Sequence, residues 1–170
     1  MPTLHVCSLA KIAGTVEATG ARSLITLISA QTPVNRPVFI KPQRHLHITM
    51  SDIVLPMDGQ ILPGQAHIGE LLRFVRGWDR LHPVVIHCYA GVSRSTAAAF
   101  ITACALNPAR SEAEIAQIMR SRSPTATPNS RMVELADGAL KRGGRMIRAV
   151  ENIGRGENCF EGVPFQLELT

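Results

Sequence analysis

A cysteine and an arginine stand six positions apart in the segment His87-Cys88-Tyr89-Ala90-Gly91-Val92-Ser93-Arg94-Ser95. A thiolate is a strong nucleophile, and a guanidinium is a planar fork that can hold two oxygens of a phosphoryl group. A thiolate and a guanidinium at this spacing can contact the same tetrahedral anion. The pattern therefore indicates in-line attack on phosphorus, with Arg94 stabilising charge on the equatorial oxygens.

The sequence around this segment predicts the elements that position it. An apolar run at residues 84–86 reads as a buried strand, and the alanine-rich stretch from Ser95 reads as a helix. A strand, a tight loop and a helix start direct backbone N–H groups and the helix dipole at one point, and Gly91 eases the turn. We therefore predict an anion cradle that favours the thiolate of Cys88. Its phosphate-binding residues are Tyr89, Ala90, Gly91, Val92, Ser93 and Arg94.

Strands and helices alternate along the rest of the chain. Short apolar or alternating runs predict strands at residues 4–9, 23–28 and 45–49. Helical spacing, weak in the first case, predicts helices at residues 10–19, 65–80, 111–119, 131–140 and 145–153. We expect a single α/β domain over residues 1–170, with a central, mostly parallel sheet of four to five strands flanked by helices and an irregular tail at 154–170.

Composition narrows the class of partner. Among 170 residues, 18 are basic and 13 acidic, and 15 of the basic residues are arginine. One Trp, one Tyr and five Phe offer few platforms for stacking bases, so we expect no nucleic-acid partner. Four scattered cysteines without a C-x-x-C pair predict reduced thiols and a cytoplasmic protein. No apolar run approaches the roughly 18 residues of a membrane span, and residues 1–11 lack a secretory signal pattern.

The spacing H-C-x5-R-S, in its strand–loop–helix context, resembles the signature of the cysteine-dependent protein tyrosine phosphatase superfamily. The ending Ser93-Arg94-Ser95 is similar to the compact, dual-specificity-like branch and its bacterial-type tyrosine phosphatases, whereas the larger tyrosine-specific enzymes usually read G-R-T. The resemblance extends over about residues 4–140 and includes Pro128-Asn129. It implies a strand–P-loop–helix core.

The resemblance also implies roles for four residues. Cys88 is the expected nucleophile, and Arg94 binds the phosphoryl oxygens. Ser95 donates toward the sulfur and helps it leave the intermediate, while His87 supports the loop without transferring protons. Neither a metal nor a cofactor is implied. A buried structural thiol is the alternative for Cys88, which the electropositive surroundings disfavour.

A general acid is needed to protonate the leaving oxygen, and the chain has four aspartates. The family supplies this acid from a loop between a strand and the helix before the cysteine strand. Asp52 fits that place best, and Asp58 in the same loop is the alternative. An Asx-turn or a helix cap is the other interpretation of Asp52. Asp79 is expected at the end of the helix at 65–80, and Asp137 on a later helix.

Four further residues have weaker alternatives. His45 and His47 share one face of a strand, but no third ligand at a suitable spacing supports a metal site. Cys104 lies about 15 Å beyond Arg94 along a helix, too far to bridge to Cys88. Cys7 could act as a resolving thiol, although a small buried hydrophobe is favoured.

These observations predict a phosphomonoester hydrolase with a cysteinyl-phosphate intermediate and Asp52 as acid and base. The expected substrate is a protein phosphorylated on tyrosine, with serine or threonine as further targets, and inorganic phosphate is the product. The neutral residues 89–93 disfavour a phosphoinositide or nucleotide substrate without excluding it. The alternative from another class is a phosphate-binding pseudo-phosphatase module that recognises a phosphorylated partner.

Overall fold

A five-stranded sheet forms the centre of the computed structural model, which describes residues 1–169. Its strands are β1 (Thr3–Cys7), β2 (Ser23–Ile28), β3 (His45–Thr49), β4 (Val84–His87) and β5 (Phe165–Glu168), in the spatial order β3-β2-β4-β1-β5. The first four strands are mutually parallel, and β5 runs antiparallel to β1. The predicted α/β class, with a mostly parallel sheet of four to five strands, is confirmed.

Within residues 1–169, six α-helices flank the sheet: α1 (Ile12–Thr19), α2 (Gln65–Gly77), α3 (Arg94–Leu106), α4 (Glu112–Arg122), α5 (Ser130–Ala139) and α6 (Arg145–Ile153). Alternate strand residues divide the core between the two faces. Leu24 and Val85 pack with α1 on one face, whereas Ile25 and Ile86 pack with the other helices on the opposite face. A parallel sheet covered on both faces needs strands that are apolar throughout, and β2 and β4 are buried at every position.

Local sequence explains the helix nearest the cradle. In α3, every residue from Arg94 to Cys104 is buried, because its alanines allow the helix to lie close to the sheet. The helix predicted at residues 65–80 ends at Gly77, three residues early. In α4, the Ser111 side chain caps the helix by accepting from the Glu114 N–H at 3.1 Å.

The prediction of an irregular tail is wrong for part of residues 154–170. Phe165–Glu168 forms β5 and pairs with β1 along the sheet edge. Phe165 and Leu167 are buried while Gln166 and Glu168 are exposed, which is the period-two alternation of a half-buried strand. The pattern is short, and its partner lies more than 150 residues away in sequence, so local reasoning did not find it.

Within residues 1–169, no helix has the length and apolarity needed to cross a membrane.

Candidate active site

The carboxyl ends of the four parallel strands meet at one edge of the sheet. The residues that follow them there include Ser8, Ser29, Met50 and Cys88. This edge is where ligands bind in parallel α/β sheets, because loops and helix N-termini converge on it. The cradle loop, defined as residues 88–94, lies at the end of β4 and leads into α3.

The cradle loop turns its carbonyl groups outward, where surrounding elements satisfy them. The contacts are His87 Nδ1 to Cys88 O (3.0 Å), Leu9 N to Tyr89 O (3.0 Å), Gly162 N to Ala90 O (2.8 Å), Thr127 N to Val92 O (2.9 Å) and Asn129 N to Ser93 O (3.2 Å). Among residues 1–169, no N–H of residues 89–93 donates to a backbone carbonyl. With the carbonyls bound on the outside, these N–H groups remain for an anion on the inside.

Two glycines allow the loop to pack this closely. Gly91 has φ +74°, and a Cβ there would come within 2.8 Å of the Cys7 carbonyl carbon at the end of β1. A Cβ on Gly162 would come within 2.9 Å of the Gly91 oxygen. The sequence indicated Gly91. It gave no reason to single out Gly162, which the tail brings against the loop just before β5.

Cys88 lies at the base of the cradle and is 3% exposed. Its Sγ is 3.1 Å from the Oγ of the buried Ser95, so the Ser95 hydroxyl can donate to a thiolate. Ser95 lies in the first turn of α3, where the helix dipole favours negative charge. The structure therefore places the predicted nucleophile, Cys88, beside Ser95, the residue predicted to donate a hydrogen bond to its sulfur.

The other buried thiols have a different environment. Burial raises the pKa of Cys7 to about 11, although a hydrogen bond with Thr15 lowers it in part. Burial also raises the pKa of Cys104 to about 12, and the nearby Glu112 charge adds to the effect. These two thiols stay protonated at neutral pH and pack as small core side chains.

Arg94 is 6% exposed and has no carboxylate partner among the described residues. Its Nη1 donates to Met50 O at 2.8 Å and to Ser29 Oγ at 3.3 Å, which fixes one side of the guanidinium. Its Nε is buried without a hydrogen-bond partner. A buried cation with an unused donor is costly, so this guanidinium is suited to bind an anion.

Asp52 lies at the rim of the cradle. Its Oδ1 accepts from Ser93 Oγ at 2.7 Å and from Asn129 Nδ2 at 2.9 Å. Asn129 also caps α5 by accepting from the Met132 N–H. One residue therefore connects the loop that contains Asp52, the cradle loop and a helix. Sequence reasoning noted Asn129 only as part of a Pro-Asn pair and missed this bridging role.

The other aspartates have different places. Asp58 is exposed in the same loop and makes no hydrogen bond to a described part of the cradle. Asp79 pairs with Arg44 at 2.6 Å, away from the cradle. Asp137 accepts from backbone N–H groups at the start of α6, where its carboxylate is structural.

His87 is the last residue of β4, contacts the cradle loop at the Cys88 carbonyl and is fully buried. Burial lowers its pKa to about 4; the hydrogen bond to the Cys88 carbonyl opposes this shift, and His45, His47 and Arg94 add to it. The ring is therefore neutral at neutral pH. Within residues 1–169, His45 and His47 do not belong to a group of three or more histidine, cysteine, aspartate or glutamate side chains that could hold a metal ion.

Comparisons with known proteins agree with this geometry. The family model described as protein-tyrosine phosphatase matches residues 56–125. Human DUSP28 superposes with a TM-score of 0.63 at 19% identity, covering 84% of this chain and 96% of that chain. By this match and this fold, the chain resembles the compact members of the cysteine-dependent protein tyrosine phosphatase superfamily.

Two other solved structures share the fold. Human tyrosine phosphatase-like serine/threonine/tyrosine-interacting protein gives a TM-score of 0.64 at 15% identity, covering 84% of this chain and 94% of that chain. PTPMT1 in complex with PI(5)P gives 0.61 at 17% identity, covering 84% and 92%. No curated protein matches the sequence significantly.

Proposed function

We propose that this protein hydrolyses phosphomonoesters through a cysteinyl-phosphate intermediate on Cys88. The observation that carries the proposal is the buried Arg94, which within residues 1–169 lacks a carboxylate partner and adjoins a loop whose N–H groups donate to no backbone carbonyl. A phosphoryl group supplies the missing negative charge and three acceptor oxygens. Cys88 at the base of the cradle is then placed for in-line attack.

In the first step the Cys88 thiolate attacks phosphorus. The S–P bond forms as the bond from phosphorus to the ester oxygen breaks, and Asp52 gives its proton to that oxygen. Both hydrogen bonds to Asp52 engage Oδ1, so Oδ2 is the oxygen suited to carry the proton. Arg94 Nε and the inward N–H groups stabilise the equatorial oxygens in the transition state.

In the second step water hydrolyses the intermediate. Asp52, now ionised, takes a proton from the water as its oxygen attacks phosphorus. The S–P bond breaks, the thiolate leaves and inorganic phosphate is released. The Ser95 hydroxyl, 3.1 Å from Sγ, can stabilise the departing thiolate by donating to it.

The substrate we propose is a protein phosphorylated on tyrosine, with serine and threonine as further targets. The cradle loop between Cys88 and Arg94 has no charged side chain, so it offers no cation for the extra phosphates of a phosphoinositide. PTPMT1, which shares the fold, was crystallised with PI(5)P, and that keeps a lipid phosphate as the second candidate. A reducing cytoplasmic compartment fits the four free cysteines, because oxidation inactivates a catalytic thiolate.

Turnover of an aryl phosphate, with a chelator present, tests the enzyme proposal. The wild type should hydrolyse it and Cys88→Ser should not. Cys159→Ser, which changes an exposed cysteine, is the matched control and should behave as wild type. If the wild type turns over no faster than Cys88→Ser yet binds phosphopeptides, the pseudo-phosphatase alternative is correct. Peptides with phosphotyrosine or phosphoserine and a phosphoinositide then rank the substrate classes.

Paired variants test the acid. Asp52→Asn keeps an oxygen that can accept from Ser93 and Asn129 but removes the proton, so kcat should fall about 10²- to 10⁴-fold. The loss should be larger for alkyl than for nitrophenyl phosphates, because a good leaving group needs less protonation. Asp58→Asn is the control and should retain wild-type kcat. The reverse pattern would assign the acid to Asp58.

A further inference from the structure

Three side chains form a continuous hydrogen-bonded line that reaches the cradle from β3. Thr26, in the middle of the fully buried β2, has its Oγ1 2.7 Å from His45 Nε2 and 2.7 Å from His87 Nε2. His87 Nδ1 is in turn 3.0 Å from the Cys88 carbonyl oxygen. The line crosses β3, β2 and β4 and ends on the backbone of the expected nucleophile.

Only one arrangement of hydrogens satisfies every member of this line when both rings are neutral. The Cys88 carbonyl can only accept, so His87 carries its hydrogen on Nδ1 and its Nε2 must accept. The hydroxyl of Thr26 has one hydrogen, which must therefore go to His87. The remaining contact to Thr26 then requires a hydrogen on His45 Nε2.

Burial, together with the charged neighbours, keeps both rings neutral. Burial lowers the pKa of His45 to about 4, and the positive charges of His47 and Arg36 contribute. The His47 ring centroid lies 5.8 Å from that of His45, and Arg94 faces His87 from the cradle side. Since neither ring gains a proton at neutral pH, the direction of the line is fixed.

We propose that His45 is a positioning residue for the active site. By donating to Thr26, it commits the single hydroxyl hydrogen of Thr26 to His87, and this holds the His87 Nδ1–H on the Cys88 carbonyl. The carbonyl then points away from the sulfur, and the following N–H groups point toward the anion. The proposal rests on the proposed function only in taking Cys88 as the nucleophile.

The tautomers of the wild-type protein give the first test. Nitrogen NMR at neutral pH should find hydrogen on Nδ1 of His87 and on Nε2 of His45, with both rings neutral. Hydrogen on the opposite nitrogen of either ring would overturn the proposal. This measurement needs neither a variant nor turnover.

Variants of His45 give the second test, measured as the pH dependence of iodoacetamide alkylation of the Cys88 peptide. His45→Leu removes the donor and should lower the alkylation rate at neutral pH about fivefold, the effect of roughly one net hydrogen bond, with the midpoint moved to higher pH. His45→Gln retains an N–H that can reach Thr26 and should restore the wild-type profile. Equal profiles for wild type and His45→Leu, or for His45→Gln and His45→Leu, would contradict the role of His45.

Two controls separate this role from general destabilisation. His47→Leu changes an exposed histidine on the same strand face and should leave the profile unchanged. Thr26→Val should resemble His45→Leu or be more severe, whereas Thr26→Ser should retain function; circular dichroism and thermal unfolding show whether each variant is folded. If the wild type lacks turnover but its alkylation still responds to His45, the proposed function fails and the positioning role stands.

Discussion

Arg94 and Arg142 are two buried arginines with opposite surroundings. Arg142, 8% exposed, donates from Nη1 to the buried Glu112 carboxylate at 2.8 Å and from Nη2 to Cys104 O at 2.8 Å. Arg94 is buried to a similar degree, but its bonds go to a carbonyl and a hydroxyl, and its Nε has no hydrogen-bond partner within residues 1–169. In this part of the chain, the Arg142 guanidinium has a carboxylate partner and the Arg94 guanidinium has none.

Under the proposed function, this difference separates a structural cation, Arg142, from a ligand-binding cation, Arg94. A buried ion pair is stable as a unit, whereas a buried charge without a partner costs several kcal/mol unless a ligand supplies one. The two side chains carry the same charge and are buried to a similar degree. They differ in whether a carboxylate lies beside the guanidinium.

Replacing Arg94 with methionine should produce the largest effect on activity. An arginine that stabilises the transition state of phosphoryl transfer is worth about 10³- to 10⁵-fold in rate, so kcat/KM of Arg94→Met should fall by that order. The free energy of unfolding should change by less than about 1 kcal/mol, because the lost bonds to Met50 and Ser29 are offset by removal of an unpaired charge. Steady-state kinetics and urea unfolding measure the two quantities.

Arg142→Met should show the opposite pattern. It leaves the Glu112 carboxylate buried beside Arg145, which is half-exposed, and stability should fall by about 3–5 kcal/mol. Activity per folded molecule should stay at the wild-type level. Arg110→Met breaks an exposed pair with Glu114 and should cost less than about 1 kcal/mol in urea unfolding. A loss of kcat/KM in Arg142→Met that exceeds its unfolded fraction would remove the distinction between the two arginines.

The sequence predicted the parts of this molecule that depend on local pattern. The succession of β1 to β4 along the chain and the loop between β4 and α3 followed from short apolar runs, breakers and one nine-residue motif. Such features are local because hydrophobic periodicity and turn residues act over a few positions. The choice of Asp52 over Asp58 as the acid rested on the resemblance and stays a prediction. The cradle also needed the resemblance, which assigned roles to Cys88 and Ser95.

The remaining features depend on contacts between residues distant in sequence. Gly162 supports the loop at Ala90 from the far end of the chain, and β5 pairs with β1. The hydroxyl of Thr26 meets two histidines only because three strands are in register. No spacing pattern within one segment predicts these contacts, because they form only in the tertiary structure.

Inorganic phosphate should distinguish the two arginines through thermal stability. A ligand that binds only the folded state stabilises it by about 2.7 kcal/mol at a hundred times its dissociation constant. The Tm of wild type and of Arg142→Met should therefore rise with phosphate, while that of Arg94→Met should not. Chloride at equal ionic strength is the control, and an equal rise in all three proteins would place the anion outside the cradle.

The smallest effect expected is on acid stability. Burial tends to raise the pKa of Glu112, but a backbone hydrogen bond, Arg142 and Arg145 together lower it by more, so its folded-state pKa is below its usual value. The stabilisation from this carboxylate is present above the ordinary pKa of about 4.3 and is lost as the pH falls through the lower folded value.

Urea unfolding from pH 5 downward should therefore decline more steeply for wild type than for Glu112→Gln. His45 and His87 have pKa values lowered to about 4, so the free energy of unfolding also falls across a higher window, from about pH 6.5 downward. This contribution is the same in both proteins. Adding Arg94→Met to both proteins should leave their difference in slope below pH 4.3 unchanged, because the Arg94 guanidinium does not set the charge of Glu112 and its effect on the pKa of His87 is the same in both. A smaller difference in the Arg94→Met background would mean that the two arginines are coupled through α3, and the contrast between a self-contained pair and an open cation would then fail.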